Sequence, residues 1–119
     1  MQGKRVLVVE DDMLIALDTT DELRRAGCVV IGPASTLETA ITLSQANELD
    51  AAVLDVFLEG AFVWELAGIL AARSVPFIFL TGFGHAIEFP PAYASVIRLE
   101  KPVRPGSVKR TLASLLAVS

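Results

Sequence analysis

Two apolar runs that end in acid constrain this chain more than any other feature. Ala51-Ala52-Val53-Leu54 runs straight into Asp55, and Val6-Leu7-Val8-Val9 runs into Glu10-Asp11-Asp12. A strand rich in Val, Leu and Ala hides both faces, as strands of a parallel sheet do when helices cover them. The residue just past such a strand stands at its carboxyl end, where open parallel sheets bind ligands. If the two strands are parallel neighbours, their acidic ends share one edge of the sheet. Carboxylates that close do not all stay ionised without a counter-charge. The pattern asks for a hard cation with oxygen ligands, and Mg²⁺ suits it, held by one or two carboxylates with carbonyl and water oxygens.

The remaining segments fall into alternation with these two strands. After the first strand, Val6 to Val9, either Asp11 or Asp12 can cap a helix over about Met13 to Ala26, with Ile15, Thr19, Leu23 and Ala26 on one stripe and Gly27 as its left-handed stop. Val29 to Gly32 reads as a short strand that Pro33 ends or places at an edge. Ser35-Thr36-Leu37-Glu38 reads as a capping box for a helix that fades near Asn47. Beyond Asp55, a loop through Gly60 leads to a helix carrying Val63, Leu66, Ala67 and Leu70. Val75 to Leu80 is the fourth strand, ending at Thr81-Gly82. Pro90 and Pro91 restrict the stretch from Gly84 to Tyr93 to a short or distorted helix. Ser95 to Leu99 is the fifth strand, ending in Glu100-Lys101-Pro102, and a last helix from about Pro105 turns Val108, Leu112, Leu115 and Leu116 to the sheet. Five strand-helix units imply a flavodoxin-like (βα)5 fold, a doubly wound sandwich around a central five-stranded parallel sheet.

Totals narrow the class of function. At 119 residues, 53 % of them hydrophobic, residues 1–119 make one core-rich domain. The formal charge of −4 offers no basic field for nucleic acid or an anionic membrane surface, so a protein partner is expected. Cys28 and His85 are each the only residue of their type, which argues against a disulfide framework and a zinc site. No leader or membrane-length apolar run is evident, and a cytoplasmic location is the expectation.

The residues that follow the strands are Glu10 and Asp11, then Asp55, Thr81 and Lys101. On one rim they supply metal ligands, a nucleophile, a hydroxyl and an amine, a set suited to a phosphoryl group on Asp55. Here the chain resembles the response-regulator receiver domains of two-component signalling. The likeness spans nearly the whole length and rests on Val8-Val9-Glu10-Asp11, Leu54-Asp55, Leu80-Thr81-Gly82 and Lys101-Pro102. A narrower likeness links Pro76-Phe77-Ile78-Phe79-Leu80-Thr81-Gly82-Phe83 and Leu54-Asp55-Val56-Phe57-Leu58 to the alphaproteobacterial FATGUY receivers.

The resemblance implies that Asp55 is the phosphoacceptor, taking a phosphoryl group from phosphohistidine on a sensor histidine kinase, of the HWE or a related type, or on a phosphotransfer protein. It implies Mg²⁺ held directly by Asp11 and Asp55, with Glu10 acting through water and the Phe57 backbone carbonyl as a further ligand. Lys101 would pair with the phosphoryl oxygens, Thr81 would move onto them as the switch step, and Pro102 would follow a cis bond that aims Lys101. Catalysis in the ordinary sense is not implied, only self-phosphorylation and slow autodephosphorylation. Without an output domain after the last helix, a stand-alone receiver would signal through a downstream protein target, and its last helix could add a homodimer face.

Three departures qualify the likeness. Leu58-Glu59 stands where most receivers carry Met-Pro, so the loop after Asp55 has its own shape. Arg98 occupies the place of the switch aromatic, which leaves Phe83, or the loop holding Pro90 and Pro91, to carry the conformational signal. Phe57 and Phe83 stand two residues after Asp55 and Thr81, where other receivers place polar groups, and should shield an acyl phosphate from water. Two further readings stay open: a degenerate receiver acting as an unphosphorylated interaction module, and a receiver excised from a hybrid kinase. A flavodoxin is disfavoured because an acidic triplet after the first strand repels phosphate. An aspartyl phosphatase is disfavoured because Phe57 stands where its second Asp belongs.

Overall fold

The structure is a computed structural model that describes residues 1–82 and 87–117. Its main sheet has five parallel strands in the order β2-β1-β3-β6-β7, the reversing order expected of the flavodoxin-like class. These strands are β1 (Arg5–Val9), β2 (Val29–Ala34), β3 (Ala51–Asp55), β6 (Phe77–Thr81) and β7 (Arg98–Glu100). Among the described residues, α1 (Met13–Arg25), α2 (Leu37–Ala46) and α3 (Trp64–Ala72) lie between successive strands of this sheet, and α4 (Ser107–Ala117) follows β7. The stretch bearing Pro90 and Pro91 contributes a single 3₁₀ turn, Pro91–Tyr93, as two adjacent prolines require.

Alternation along β1 sorts the core into two layers. Val6 and Val8 face Leu23 of α1 and Val108 and Leu112 of α4, while Leu7 and Val9 face the opposite layer with Leu66 and Leu70 of α3. Every residue of β3 and β6 is buried, so a one-residue slip would misplace both layers at once. Cys28 is a small buried residue of the α1 layer, where burial pushes its thiol up.

Several local expectations need correction. The α2 cap is Thr36, whose hydroxyl accepts from the Thr39 N–H at 3.1 Å, and not a box of Ser35 with Glu38. In α1 the buried stripe is Ala16, Thr19, Thr20 and Leu23, turned slightly from the stripe through Ile15 and Ala26. Strand β2 runs through Pro33 to Ala34 at the sheet edge, where no partner needs the missing N–H. Its register against β1 shifts between Leu7 and Val9, and Gly32 at φ +102° lies so close to β1 that a Cβ would sit 2.8 Å from the Val8 carbonyl oxygen. Strand β7 begins at Arg98, three residues later than Ser95. The loop after Asp55 does have its own shape: β4 (Phe57–Leu58) and β5 (Ala61–Phe62) form an antiparallel hairpin around Glu59 at φ 40° and Gly60 at φ 89°. Two central residues at positive φ match the twist of a two-residue hairpin loop.

Candidate functional site

Register assembles the rim. Val9 pairs with Leu54, so the next residue on each strand, Glu10 and Asp55, stand side by side. Asp55 pairs with Leu80, which sets Thr81 one step further out, and Thr81 pairs with Glu100, which sets Lys101 beyond it. The resulting cavity, of about 340 Å³, is lined by Asp11, Asp55, Phe57, Thr81 and Lys101 among others. A larger groove of about 510 Å³ lies between α1 and the segment after Lys101. Its Glu22 is bonded to backbone N–H groups and its Asp21 pairs with Arg25, whereas three carboxylates converge at the smaller cavity.

Glu10 is 2 % exposed and Asp55 5 %, an unusual depth for two carboxylates side by side. Lys101 answers both. Its Nζ donates to Glu10 Oε2 at 3.0 Å and to Asp55 Oδ2 at 3.1 Å, and stands 2.9 Å from Glu10 Oε1 in an ion pair out of line for a further hydrogen bond. Glu10 Oε2 also accepts the Asp12 N–H at 3.1 Å. Burial first, then the hydrogen bond to Glu10 and its charge, push the Asp55 carboxyl up to about 7 against the opposing pull of Lys101. Burial works to lower the Lys101 ammonium, but the bond to Glu10 and the charges of Asp55 and Glu10 outweigh it and hold the group above its ordinary range.

Glu10, Asp11 and Asp55 each place a carboxylate oxygen within 4.8 Å of the other two. An all-oxygen, all-anionic donor set with one ammonium beside it carries excess negative charge, and it fits a hard divalent cation. Asp12 stands outside this set: its Oδ1 accepts the N–H groups of Leu14 and Ile15 and caps α1. Thr81 is 1 % exposed and its hydroxyl oxygen has no hydrogen-bond partner among the described residues, a cost that an anion in the cavity would remove. Lys101-Pro102 is a cis peptide bond, and Gly32-Pro33 is a second one that sequence reasoning did not raise. The expectations attached to Phe83 and His85 lie outside the described residues.

Three features escaped the reading by residue type. The Glu59 N–H of the hairpin turn donates to Asp11 Oδ2 at 3.1 Å, so the hairpin is tied to the acidic cluster. Phe57, 46 % exposed at the cavity mouth, meets Phe62 edge to face at 5.1 Å. Arg98, exposed as its charge requires, lies over the Phe89 ring at 3.6 Å. The Leu58-Glu59 departure signalled only that the loop would be unusual.

No protein-family model matches the chain. The chain is 30 % identical over 81 residues to the transcriptional regulatory protein PdtaR of Mycobacterium tuberculosis, a match covering 67 % of this chain. It spans 40 % of the length of that curated relative. Among solved structures, SdrG from Sphingomonas melonis Fr1 is 33 % identical and superposes with a TM-score of 0.82, covering 96 % of this chain and 97 % of that one. The beryllofluoride-activated conformation of SdrG, from Pseudomonas melonis Fr1, is 32 % identical with a TM-score of 0.75, covering 98 % and 99 %. The signal receiver domain of a modulated diguanylate cyclase from Desulfovibrio desulfuricans G20 is 27 % identical with a TM-score of 0.79, covering 98 % and 95 %.

Proposed function

We propose that this chain, which belongs to the response-regulator receiver family of two-component signalling, takes a phosphoryl group onto Asp55 and signals through protein contacts. The observation that carries the reading is the convergence of buried Glu10 and Asp55 with half-buried Asp11 and Lys101 beside the Thr81 hydroxyl, which has no partner among the described residues.

Asp55 Oδ attacks the phosphorus of a phosphohistidine; the P–O bond forms as the P–N bond breaks, and the imidazole of the donor leaves with the electron pair. Asp11 and Asp55 would hold Mg²⁺, with Glu10 and the Phe57 backbone carbonyl completing the oxygen set. When bound there, Mg²⁺ supplies charge neutralisation for the transferring phosphoryl oxygens. Lys101, tied to Asp55 in the resting site, needs only to exchange a carboxylate oxygen for a phosphoryl oxygen to supply the second positive charge. Thr81 donates its hydroxyl to a remaining oxygen. The chemistry is positioning and electrostatics, with little covalent work by the protein beyond the nucleophile itself.

A histidine kinase or phosphotransfer protein as donor, a protein target as receiver of the signal, and a cytoplasmic site of action belong to this same reading. No helix among the described residues is long and apolar enough to cross a membrane.

Intact mass after incubation with acetyl phosphate tests the proposal. A gain of one phosphoryl group that needs Mg²⁺ and is lost in Asp55→Asn is the expected result. A folded protein that gains nothing under any condition would instead favour a receiver working as an unphosphorylated interaction module.

A further inference from the structure

We infer that occupancy of the acidic rim is transmitted to Arg98 on β7 through the β4–β5 hairpin and a run of packed rings, Phe57, Phe62, Trp64 and Phe89. The inference rests on the phosphoacceptor reading and adds the route by which the site is read out.

The input end is physical. Asp11 offers one oxygen to the Glu59 N–H of the hairpin turn while its carboxylate also belongs to the acidic cluster, so a cation drawn to Asp11 pulls on the turn. Phe57 lines the cavity itself, two residues from Asp55. From there each ring touches the next. Phe57 meets Phe62 at 5.1 Å, Phe62 stacks on Trp64 at 5.6 Å with planes 6° apart, and Trp64 meets Phe89 at 5.3 Å. Trp64 is braced by Phe79 at 5.6 Å and stacks on Tyr93 at 6.0 Å, so it cannot retreat into the sheet. Phe89 carries the Arg98 guanidinium at 3.6 Å.

Phe57 and Phe62 are half in solvent, 46 % and 45 % exposed, but Phe62 lies flat on Trp64, so a hairpin that shifts changes the stack on which Trp64 rests, and a small displacement at the site becomes a rearrangement elsewhere. The output end is built to let go. An exposed cation over a ring is weakly held, and Arg98 stands in solvent on an edge strand. The β4–β5 hairpin, tied to Asp11 at one end and stacked on α3 at the other, is the element whose position both ends sense.

Trp64 is the only tryptophan, so its emission reports the centre of the run without labelling. The experiment uses the full chain with arginine side chains ¹⁵N-labelled, the Arg98 Nε signal being assigned by its loss in Arg98→Lys. Mg²⁺ with beryllofluoride is the probe, and its uptake is followed separately by ¹⁹F NMR. Wild type should bind the probe, change its Trp64 emission and move the Arg98 signal. Phe62→Ala should bind the probe but show an Arg98 shift reduced about three-fold or more, while Phe62→Tyr, which keeps the ring, should restore it. An Arg98 shift of equal size in Phe62→Ala, or probe binding by wild type with no change at Trp64 and Arg98, overturns the route and leaves the phosphoacceptor reading intact. Failure of wild type to bind the probe overturns that reading, and the route with it.

Discussion

Asp55 is held between two demands, burial that resists its charge and Lys101 that invites it. Its carboxyl sits near 7 in the metal-free protein against an ordinary value of 3.8. Between those two values the folded chain keeps a proton that the unfolded chain has lost, so the Asp55 contribution to stability falls as pH rises through this window. Below about pH 4 both states are protonated and the contribution vanishes. Without Mg²⁺, Asp55→Asn should therefore be more stable than wild type at pH 8, by on the order of 2 kcal/mol, with the gap closing toward pH 4. Urea denaturation across that range checks it, and a gap that widens in acid would contradict the assignment. Phe57 makes the second residue-scale prediction. Its ring stands at the cavity mouth, and if it shields an acyl phosphate on Asp55 from water, Phe57→Asn should speed loss of the phosphoryl group about ten-fold. An unchanged rate of phosphoryl loss, followed by intact mass, would remove the shielding role at this position.

At the scale of elements, α4 starts on a borrowed cap. Glu22 of α1 accepts the Gly106 N–H at 2.8 Å and the Lys109 N–H at 2.7 Å, placing a carboxylate on the positive end of α4 from a residue more than eighty positions away. Glu22→Ala should cost about 1–2 kcal/mol in urea denaturation while leaving phosphorylation in place. A midpoint equal to wild type would show that water replaces the cap. Long elements with a clear period were legible in the sequence, because burial on one face leaves a regular trace: β3, the limits of α1 and the buried stripe of α3 read directly, and β6 starts two residues later than Val75. The hairpin left none. Two strands of two residues are too short for alternation, and Glu59-Gly60 is not one of the strong turn pairs. The α2 cap moved by one residue because Ser35 and Thr36 offer the same chemistry in adjacent places, and only the backbone path decides between them. Strand β2 overran Pro33 because an edge strand tolerates a missing donor, and edge position is a property of the whole sheet.

For the whole molecule, the rim was readable because parallel strands buried on both faces have little freedom of register, so residues that end them must meet. Glu10, Asp11, Asp55, Thr81 and Lys101 were named from that rule; all but Glu10 line one cavity, and Glu10 meets it through Lys101. Contacts between distant side chains were not readable. Nothing in the chain marks that Glu59 would hold Asp11, or that Phe89 would carry Arg98, because such meetings depend on loop paths and not on period. Cation binding should register globally. Mg²⁺ at about 100 times its dissociation constant would stabilise the fold by about 2.7 kcal/mol. The rise in Tm should be larger at pH 8 than at pH 5.5, where the proton on Asp55 competes, and absent in Asp11→Asn. An equal rise in that variant would place the cation elsewhere. The central claim is that Asp55 itself carries the phosphoryl group, and borohydride reduction of the acyl phosphate followed by peptide mapping tests it most directly. Homoserine is expected at position 55, and only when Mg²⁺ was present during phosphorylation; label at any other carboxylate, with position 55 unchanged, would rule Asp55 out as the acceptor.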